Sequence, residues 1–391
     1  MRKAHIINLE KMGGVERLFL QYIHDNTAKN DVIFCISNKI GPEIAQHLAN
    51  RNVVFVNRML NAFTLKYPVF ARKYALQTKL WLADPEAVIV WDLIPGFAGK
   101  PARGKVIYYD HGCSWRYAHN AKTLGFFAML DGCISAAKAS KRVMELRFNL
   151  TCPVQTVINR ILPPPNIERG PKPLTSPLKL GIAARLVGLK GISVALLAVK
   201  TLRDRGVDVT LDIAGKGPDE AAFRALAEKL NITDCVNFLG FQDDLSQFFN
   251  TIHIYLSTPV TEPFGLSCME ALFYGVPVIF PNIDGQPEVV KDGVCGIGIT
   301  PTITPAAHQE QTGISVDFPH QVYSPYSDTL VEPLLMSPEA IADAVQQIAG
   351  SAYADYRDNA FKYVEEHFDY KNFICEFNAR ISDIVDANVK K

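Results

Sequence analysis

Two carboxylates eight residues apart, Glu262 and Glu270, stand in the stretch Thr258-Pro-Val-Thr-Glu-Pro-Phe-Gly-Leu-Ser-Cys-Met-Glu-Ala-Leu-Phe-Tyr-Gly275. The stretch leaves an apolar run at 254–256, passes into apolar residues at helical spacing and stops at a glycine. This pattern puts Glu262 in a loop, starts a helix at Phe264-Gly265-Leu266, and sets Glu270 two turns in, at roughly 3.6 residues per turn. A loop that feeds a helix N-terminus from a strand offers free backbone N–H groups and the positive end of the helix dipole, which suits a phosphate. A phosphate at Gly265 would leave Glu262 beside whatever the phosphate carries. The plainer alternative is a loop carboxylate and an unrelated surface carboxylate. A second group, Arg185 and Lys190, brackets a loop between an apolar strand at 180–185 and a helix that runs to Arg205. One guanidinium fork and one ammonium point charge suit a diphosphate whose charge must be met as it leaves. The alternative is two surface cations. His111 ends the run Val106-Ile-Tyr-Tyr-Asp-His, where a neutral imidazole is placed to meet ligand at a strand's carboxyl end, a structural histidine being the alternative. Asp110 would orient that loop, and Trp115 with Arg116 would offer a stacking face to an acceptor. Gly13 and Gly14 follow the first strand, where positive φ would let a ligand approach the backbone, a tight turn being the alternative.

The elements that must hold these residues alternate. Strands at 3–9, 31–37, 53–57, 87–92, 105–111, 132–136 and 154–159 are separated by helical stretches, including 15–26, 41–50 and 137–149. Such alternation predicts a parallel sheet covered on both faces, with ligands at the strands' carboxyl ends. Residues 161–177 contain six prolines and predict an extended linker at the boundary between two domains. A second alternation follows it. Residues 301–336 lack strong periodicity and predict a long functional or mobile loop. Ser337-Pro-Glu starts a helix, with Ser as cap and Pro at the first helical position. A last helix is predicted over 371–389.

Composition narrows the classes. At 391 residues, with 48% hydrophobic and 20% charged content, the chain is a globular protein of two domains. No apolar run approaches the roughly 20 residues that span a bilayer, and the N-terminus reads as a strand, not a signal peptide. Eight scattered cysteines without a C-x-x-C pair predict free thiols in a reducing cytoplasm. The glycine fingerprint of dinucleotide-binding dehydrogenases is absent. The neutral total conceals a balance of +10 over residues 1–150 and −10 over the rest, so one half is suited to a polyanionic surface. Between Glu43 and Asp84 there is no acidic residue. Arg58, Lys66, Arg72, Lys73 and Lys79 interleave there with Leu60, Phe63, Leu65, Phe70, Tyr74 and Trp81. Residues 58–82 therefore predict a basic amphipathic helix on an anionic membrane surface, the alternative being a core-packed helix with a solvated basic face. No nucleic-acid-binding motif accompanies the charge.

Glu-Pro-Phe-Gly-Leu-Ser-x-x-Glu-Ala with the following Gly-Val-Pro-Val resembles the E-x7-E signature of retaining GT-B glycosyltransferases of family GT4. Ala184-Arg-Leu-Val-Gly-Leu-Lys-Gly191 is similar to that family's G-R-L-x-x-x-K-G, with alanine in place of the first glycine. The likeness is strong over 178–290 and weaker before 150. It implies a GT-B fold, two Rossmann-like doubly wound α/β domains facing across a cleft. Residues 1–165 would bind the acceptor, 166–370 the nucleotide sugar, and the helix at 371–391 would pack back on the first domain. It implies that Glu262 and His111 meet the donor sugar and that Glu270 meets the ribose. Arg185 and Lys190, with the Phe264, Gly265 and Leu266 backbone, would meet the diphosphate. Gly13 and Gly14 would lie over the donor, and the Gly240-Phe241 turn beside the base. The expected activity is retaining transfer from a nucleotide-diphosphate sugar to a saccharide or lipid-linked saccharide in cell-envelope polysaccharide or lipopolysaccharide synthesis. No cofactor and no metal are expected, because there is no Asp-x-Asp. The expected location is the cytoplasm, peripheral on the inner membrane face. The rival expectations are a sugar-nucleotide epimerase of the same fold and a non-catalytic membrane- or polyanion-binding protein.

Overall fold

In a computed structural model, which describes residues 1–61, 64–316, 318 and 320–387, the chain divides into two compact units. One comprises Met1–Leu162 with Tyr370–Lys391, the other Pro163–Asp369. The first unit is built on seven parallel strands: β1 Lys3–Ile7, β2 Val32–Cys35, β3 Val53–Phe55, β4 Ala87–Trp91, β5 Lys105–Asp110, β6 Gly132–Ser135 and β7 Val154–Thr156. Their spatial order is 3-2-1-4-5-6-7. Successive side chains of a strand face opposite ways. Ile7, Ile33, Ile89, Ile107 and Ile134 therefore join one apolar cluster, and Ile6, Phe34, Val88, Tyr108 and Cys133 the other. The helix Tyr370–Asp386 covers the first face with Phe373, Phe377, Ile381 and Ile384, spaced by three and four as one helical stripe. Gly132 makes room for it: a Cβ there would come within 2.6 Å of Ile384 Cδ1.

The second unit repeats the plan with β8 Leu178–Ala183, β9 Val209–Ala214, β10 Val236–Gly240, β11 Ile254–Leu256, β12 Val278–Pro281 and β13 Gly296–Ile299, all parallel. Their order is 10-9-8-11-12-13. In both sheets the order reverses between the first strand and the fourth. At such a switch point the loops leaving the two strands diverge and open a crevice at the carboxyl edge.

Three regions differ from the sequence expectations. The proline-rich segment is not a free linker but is fastened to the second unit. Arg357, buried, donates to the carbonyls of Glu168 (2.7 Å), Gly170 (3.2 Å), Tyr274 (2.9 Å) and Gly275 (3.2 Å). The Tyr274 hydroxyl donates to Pro165 at 2.7 Å and Asn250 to Asn166 at 2.8 Å. Prolines keep carbonyls that no ladder accepts, and side chains from the unit meet them. The segment 301–336 is ordered around a helix, Pro305–Thr312, and an antiparallel hairpin of β14 Val322–Ser324 and β15 Thr329–Val331. Asp317 and Pro319 lie outside the described residues. The basic stretch is helical only over Arg72–Ala83, with a short 3-10 turn before it; Ala62 and Phe63 lie outside the described residues. Lys79 turns inward and donates to the carbonyls of Phe55 (2.6 Å), Val56 (3.4 Å) and Arg58 (2.6 Å). The Arg58 side chain bonds the Asn38 carbonyl and lies over the Phe55 ring. Two of the expected surface cations are thus spent inside the unit, while Val69, Phe70, Tyr74, Trp81 and Leu82 stand exposed. The surface is more apolar and less basic than the sequence suggests. Among the described residues no helix is long and apolar enough to cross a membrane.

Candidate functional site

In the second unit the two candidate motifs meet at the switch point. The chain leaves β8 at Ala183 and turns through Arg185 into a short 3-10 turn, Gly188–Lys190, before the helix Ile192–Asp204. It leaves β11 at Leu256 and reaches the helix Leu266–Phe273 through Thr258–Gly265. Backbone bonds tie the two loops. Val260 N–H donates to the Leu189 carbonyl at 2.9 Å, and the Thr258 hydroxyl to the Gly191 carbonyl at 2.9 Å. Gly191 has φ +64°, and a Cβ on it would lie 1.7 Å from the Thr258 carbonyl oxygen, so only glycine allows this approach. The result is an ion pair between the motifs: Lys190 Nζ lies 2.5 Å from Glu262 Oε2. Both groups are half-buried, so each is held by the other and still open to a ligand. Arg185 is exposed, and its side chain makes no hydrogen bond or ion pair among the described residues. Gly265 caps the helix Leu266–Phe273 at φ +102°, with no side-chain cap on the amides that follow. Glu270 lies on that helix, half-buried. At the end of β10, Gly240 has φ +71° and leaves Phe241 exposed, with Lys216 Nζ 5.1 Å from its ring centre. A cation with an open guanidinium, a carboxylate–ammonium pair and a bare helix N-terminus on one sheet edge can bind a dianionic phosphate ester and a hydroxyl-bearing group attached to it.

One carboxylate that the sequence reading missed holds this arrangement. Asp284, buried, follows β12 in a left-handed conformation at φ +49°. Its Oδ2 accepts from the Glu262 N–H (2.9 Å) and the Thr261 hydroxyl (2.7 Å). No spacing in the sequence marks it, because its partners come from another loop.

In the first unit His111 follows β5 directly, and its amide donates to Asp92 Oδ1 at 2.8 Å. Its ring stacks on Trp91, with centroids 5.7 Å apart and planes 14° from parallel. Asn159, which the sequence reading did not mark, is the group that orients it. The Tyr109 hydroxyl donates to Asn159 Oδ1 at 2.7 Å, which turns the amide so that Nδ2 donates to His111 Nδ1 at 3.2 Å. Nδ1 is thereby the acceptor, and the proton of the neutral ring sits on Nε2. Burial pushes His111 down to about 4, partly opposed by the Asp92 charge. Nε2 is buried and has no hydrogen-bond partner among the described residues. An N–H donor left unsatisfied in this way is costly unless a ligand accepts from it. Asp110, beside it, accepts from Ser114 and the Tyr108 hydroxyl, and burial with the Asp92 charge raises it to about 7. Trp115 is buried, so the expected acceptor-stacking face there is not available.

The glycine pair is also corrected. Gly13 caps the helix Gly14–His24 in extended geometry (φ −147°), and neither Gly13 nor Gly14 is at positive φ. A Cβ on Gly13 would lie 2.8 Å from Glu16 Oε2. Burial raises the Glu16 carboxyl, against backbone N–H groups of Glu16 and Gly13 that favour its charge. The Glu16 carboxylate thus lies against Gly13 at the start of this helix.

Residues 166–311 match the family model described as glycosyl transferases group 1. The match lies within the second unit. It carries Arg185, Lys190, Glu262 and Glu270, so the family match and the geometry coincide on the same loops. The GtfA subunit of the UDP-N-acetylglucosamine–peptide N-acetylglucosaminyltransferase of Streptococcus gordonii is 32% identical over 180 residues, 45% of this chain and 34% of that protein. The amylovoran biosynthesis glycosyltransferase AmsK of Erwinia amylovora is 30% identical over 131 residues, 32% of each chain. The chain thus spans about a third of the length of these curated relatives. Among solved structures, Anabaena HepE in complex with UDP and glucose is similar with a TM-score of 0.73 at 15% identity, covering 98% of this chain and 100% of that one. The chain shares its GT-B fold, of two Rossmann-like domains.

Proposed function

We propose that the protein is a glycosyltransferase that moves a sugar from a nucleotide-diphosphate sugar to a saccharide or lipid-linked saccharide in cell-envelope polysaccharide synthesis. The observation that carries this reading is the Lys190–Glu262 pair at the switch point, beside the open guanidinium of Arg185 and the uncapped helix at Gly265. The donor's diphosphate takes Arg185, Lys190 and the amides of Phe264–Leu266. Glu270 accepts from the ribose, and the base lies on Phe241. Glu262 accepts from hydroxyls of the sugar, and in the first unit His111 Nε2–H is left to donate to a ligand oxygen. When the bond from the anomeric carbon to the diphosphate oxygen breaks, negative charge grows on that oxygen. Fixed cations and helix amides stabilise it most where they need not reorganise. Lys190, held by Glu262 before the donor arrives, is kept where the leaving oxygen develops its charge while Glu262 takes the sugar. Transfer with retention and without metal follows the family resemblance. The basic balance and exposed apolar face of the first 150 residues suit an acceptor at an anionic membrane surface.

Relatives and fold neighbours whose names include UDP or UDP-sugars make uridine donors the first to try, with GDP- and ADP-sugars beside them. Binding measured by calorimetry should find a donor whose affinity falls at least tenfold in Arg185→Ala. No binding from any nucleotide sugar would remove the donor assignment and favour a membrane-binding protein. A changed sugar isomer without any acceptor would favour an epimerase.

A further inference from the structure

The segment 301–336 touches both donor loops. Gly188, in the turn that carries Lys190, packs so closely on it that a Cβ would lie 2.1 Å from the Ser315 carbonyl oxygen. Ser193, in the first turn of the next helix, is 2.8 Å from Nε2 of buried His308 on the helix Pro305–Thr312. At the other loop the link passes through Asp284. Its Oδ1 accepts from the Tyr323 N–H of β14 at 2.8 Å, while its own N–H donates to the Tyr323 carbonyl at 2.8 Å. Its Oδ2 holds the Glu262 N–H and the Thr261 hydroxyl, as described above. One buried carboxylate thus clamps the hairpin strand β14 to the peptide that carries Glu262. Tyr323 also closes the hairpin from within, its hydroxyl donating to Asp328 Oδ1 at 2.8 Å. A charged acceptor shared by three donors makes stronger bonds than neutral pairs do, and a left-handed aspartate persists only where its surroundings repay its backbone cost.

We propose that Asp284 is a positioning residue for Glu262, and that through it the hairpin Val322–Val331 sets the sugar-binding end of the site. This inference rests on the donor reading above. Asp284 touches neither nucleotide nor sugar in it, and acts by fixing the backbone from which Glu262 projects. Arg185 and Lys190 come from the other loop, whereas the Phe264–Leu266 amides follow the peptide that Asp284 holds, so loss of Asp284 should cost the sugar more than the nucleotide.

The test uses the full chain with Asp284→Asn and Asp284→Gly. Asn tolerates the left-handed conformation but keeps one acceptor oxygen. Gly relieves the backbone altogether and keeps none, so a folding failure from strain is avoided in one of the two. Hydrogen exchange of the ligand-free proteins should accelerate at least tenfold in peptides covering 261–265 and 322–324, with 178–183 unchanged. Affinities for UDP, GDP and ADP should fall by less than the sugar increment does. The additional affinity of the matching nucleotide sugar should fall at least tenfold, with Gly worse than Asn. Unchanged exchange at 261–265, or an intact sugar increment in Asp284→Gly, would overturn the proposal. A wild type that binds none of these nucleotides would overturn the donor reading and the sugar half of this inference, while the exchange result alone decides the clamp.

Discussion

Asn159 decides which nitrogen of His111 carries the proton, because the tyrosine on its other side fixes the direction of its amide. Asn159→Asp tests this. A carboxylate cannot donate to Nδ1; it draws the proton there and stabilises the imidazolium. His111 should rise from about 4 by about one unit or more, a shift that a charged neighbour commonly produces. The neutral ring should switch to the Nδ1–H tautomer, read from nitrogen shifts in NMR. A wild-type ring found with Nε2 unprotonated would overturn the assignment. The sequence marked His111 through its strand end but not Asn159, whose partner lies 48 residues earlier and is reached only by pairing β6 between β5 and β7. In the same way Glu262 and Lys190 were legible as separate motifs, yet their ion pair was not, since 72 residues separate them. Gly13 was misread for a different reason. A glycine's freedom says that a special conformation is allowed, and the neighbouring Glu16 used the space for its own carboxylate.

Among the elements, the loops at the second switch point depend on one close approach. Gly191→Ala must overcome both a left-handed backbone, about 1–2 kcal/mol, and an overlap with the Thr258 carbonyl that backbone movement alone relieves. Gly313→Ala, at φ +75° with nothing within 4 Å, meets only the first cost. Urea midpoints should therefore fall more for Gly191→Ala, and only that variant should also lose nucleotide affinity. Equal effects would mean that the loops adjust freely. The alternation was legible because parallel strands buried on both faces read as apolar runs between helices, whereas the strand order came only with the structure. The helix Arg72–Ala83 was legible as amphipathic, but its polarity was not, since a lysine's direction depends on which carbonyls lie within reach. With Lys79 turned inward, Phe70 (76% exposed) and Trp81 (52% exposed) are left as the prominent features of that face. An interfacial helix binds by apolar burial plus attraction to anionic lipid, and here the first term dominates. Wild type should sediment with vesicles of zwitterionic lipid doped with anionic lipid. Phe70→Ser with Trp81→Ser should weaken this more than added salt does. Binding abolished by salt but unaffected by the double substitution would restore the basic-helix reading.

For the molecule as a whole, the two units have different acid behaviour. In the unit Met1–Leu162 with Tyr370–Lys391, burial lowers His5 and His24 and holds His111 at about 4. In Pro163–Asp369, burial lowers His308 and, helped by Lys172 and Lys179, holds His253 at about 4; burial and the Arg357 charge bring Lys172 to about 7. Unfolded histidine takes its proton near 6.5 and lysine near 10.4. Below those values the unfolded chain binds protons that the native fold refuses, so stability falls as pH falls: through 10.4 to 7 for Lys172, and through 6.5 to about 4 for His111 and His253. The first unit has an opposing pair. Asp110 is raised to about 7 by burial and Asp92, and Glu16 is raised by burial. Their native forms take protons before the unfolded ones do, which adds stability as pH falls below 7. Acidification from pH 8 to 5 should therefore weaken Pro163–Asp369 more than its neighbour. The sequence supplies the probe, because Trp81, Trp91 and Trp115, all the tryptophans of the chain, lie in the first unit. Tryptophan fluorescence follows that unit alone, whereas far-ultraviolet circular dichroism follows both. In urea at pH 5 the dichroism should begin to fall at a lower concentration than the fluorescence changes, with the two curves closer at pH 8. His253→Asn should narrow the gap at pH 5. Curves that coincide at both pH values, or a fluorescence change that comes first, would show that the acid-sensitive groups do not act on the units separately.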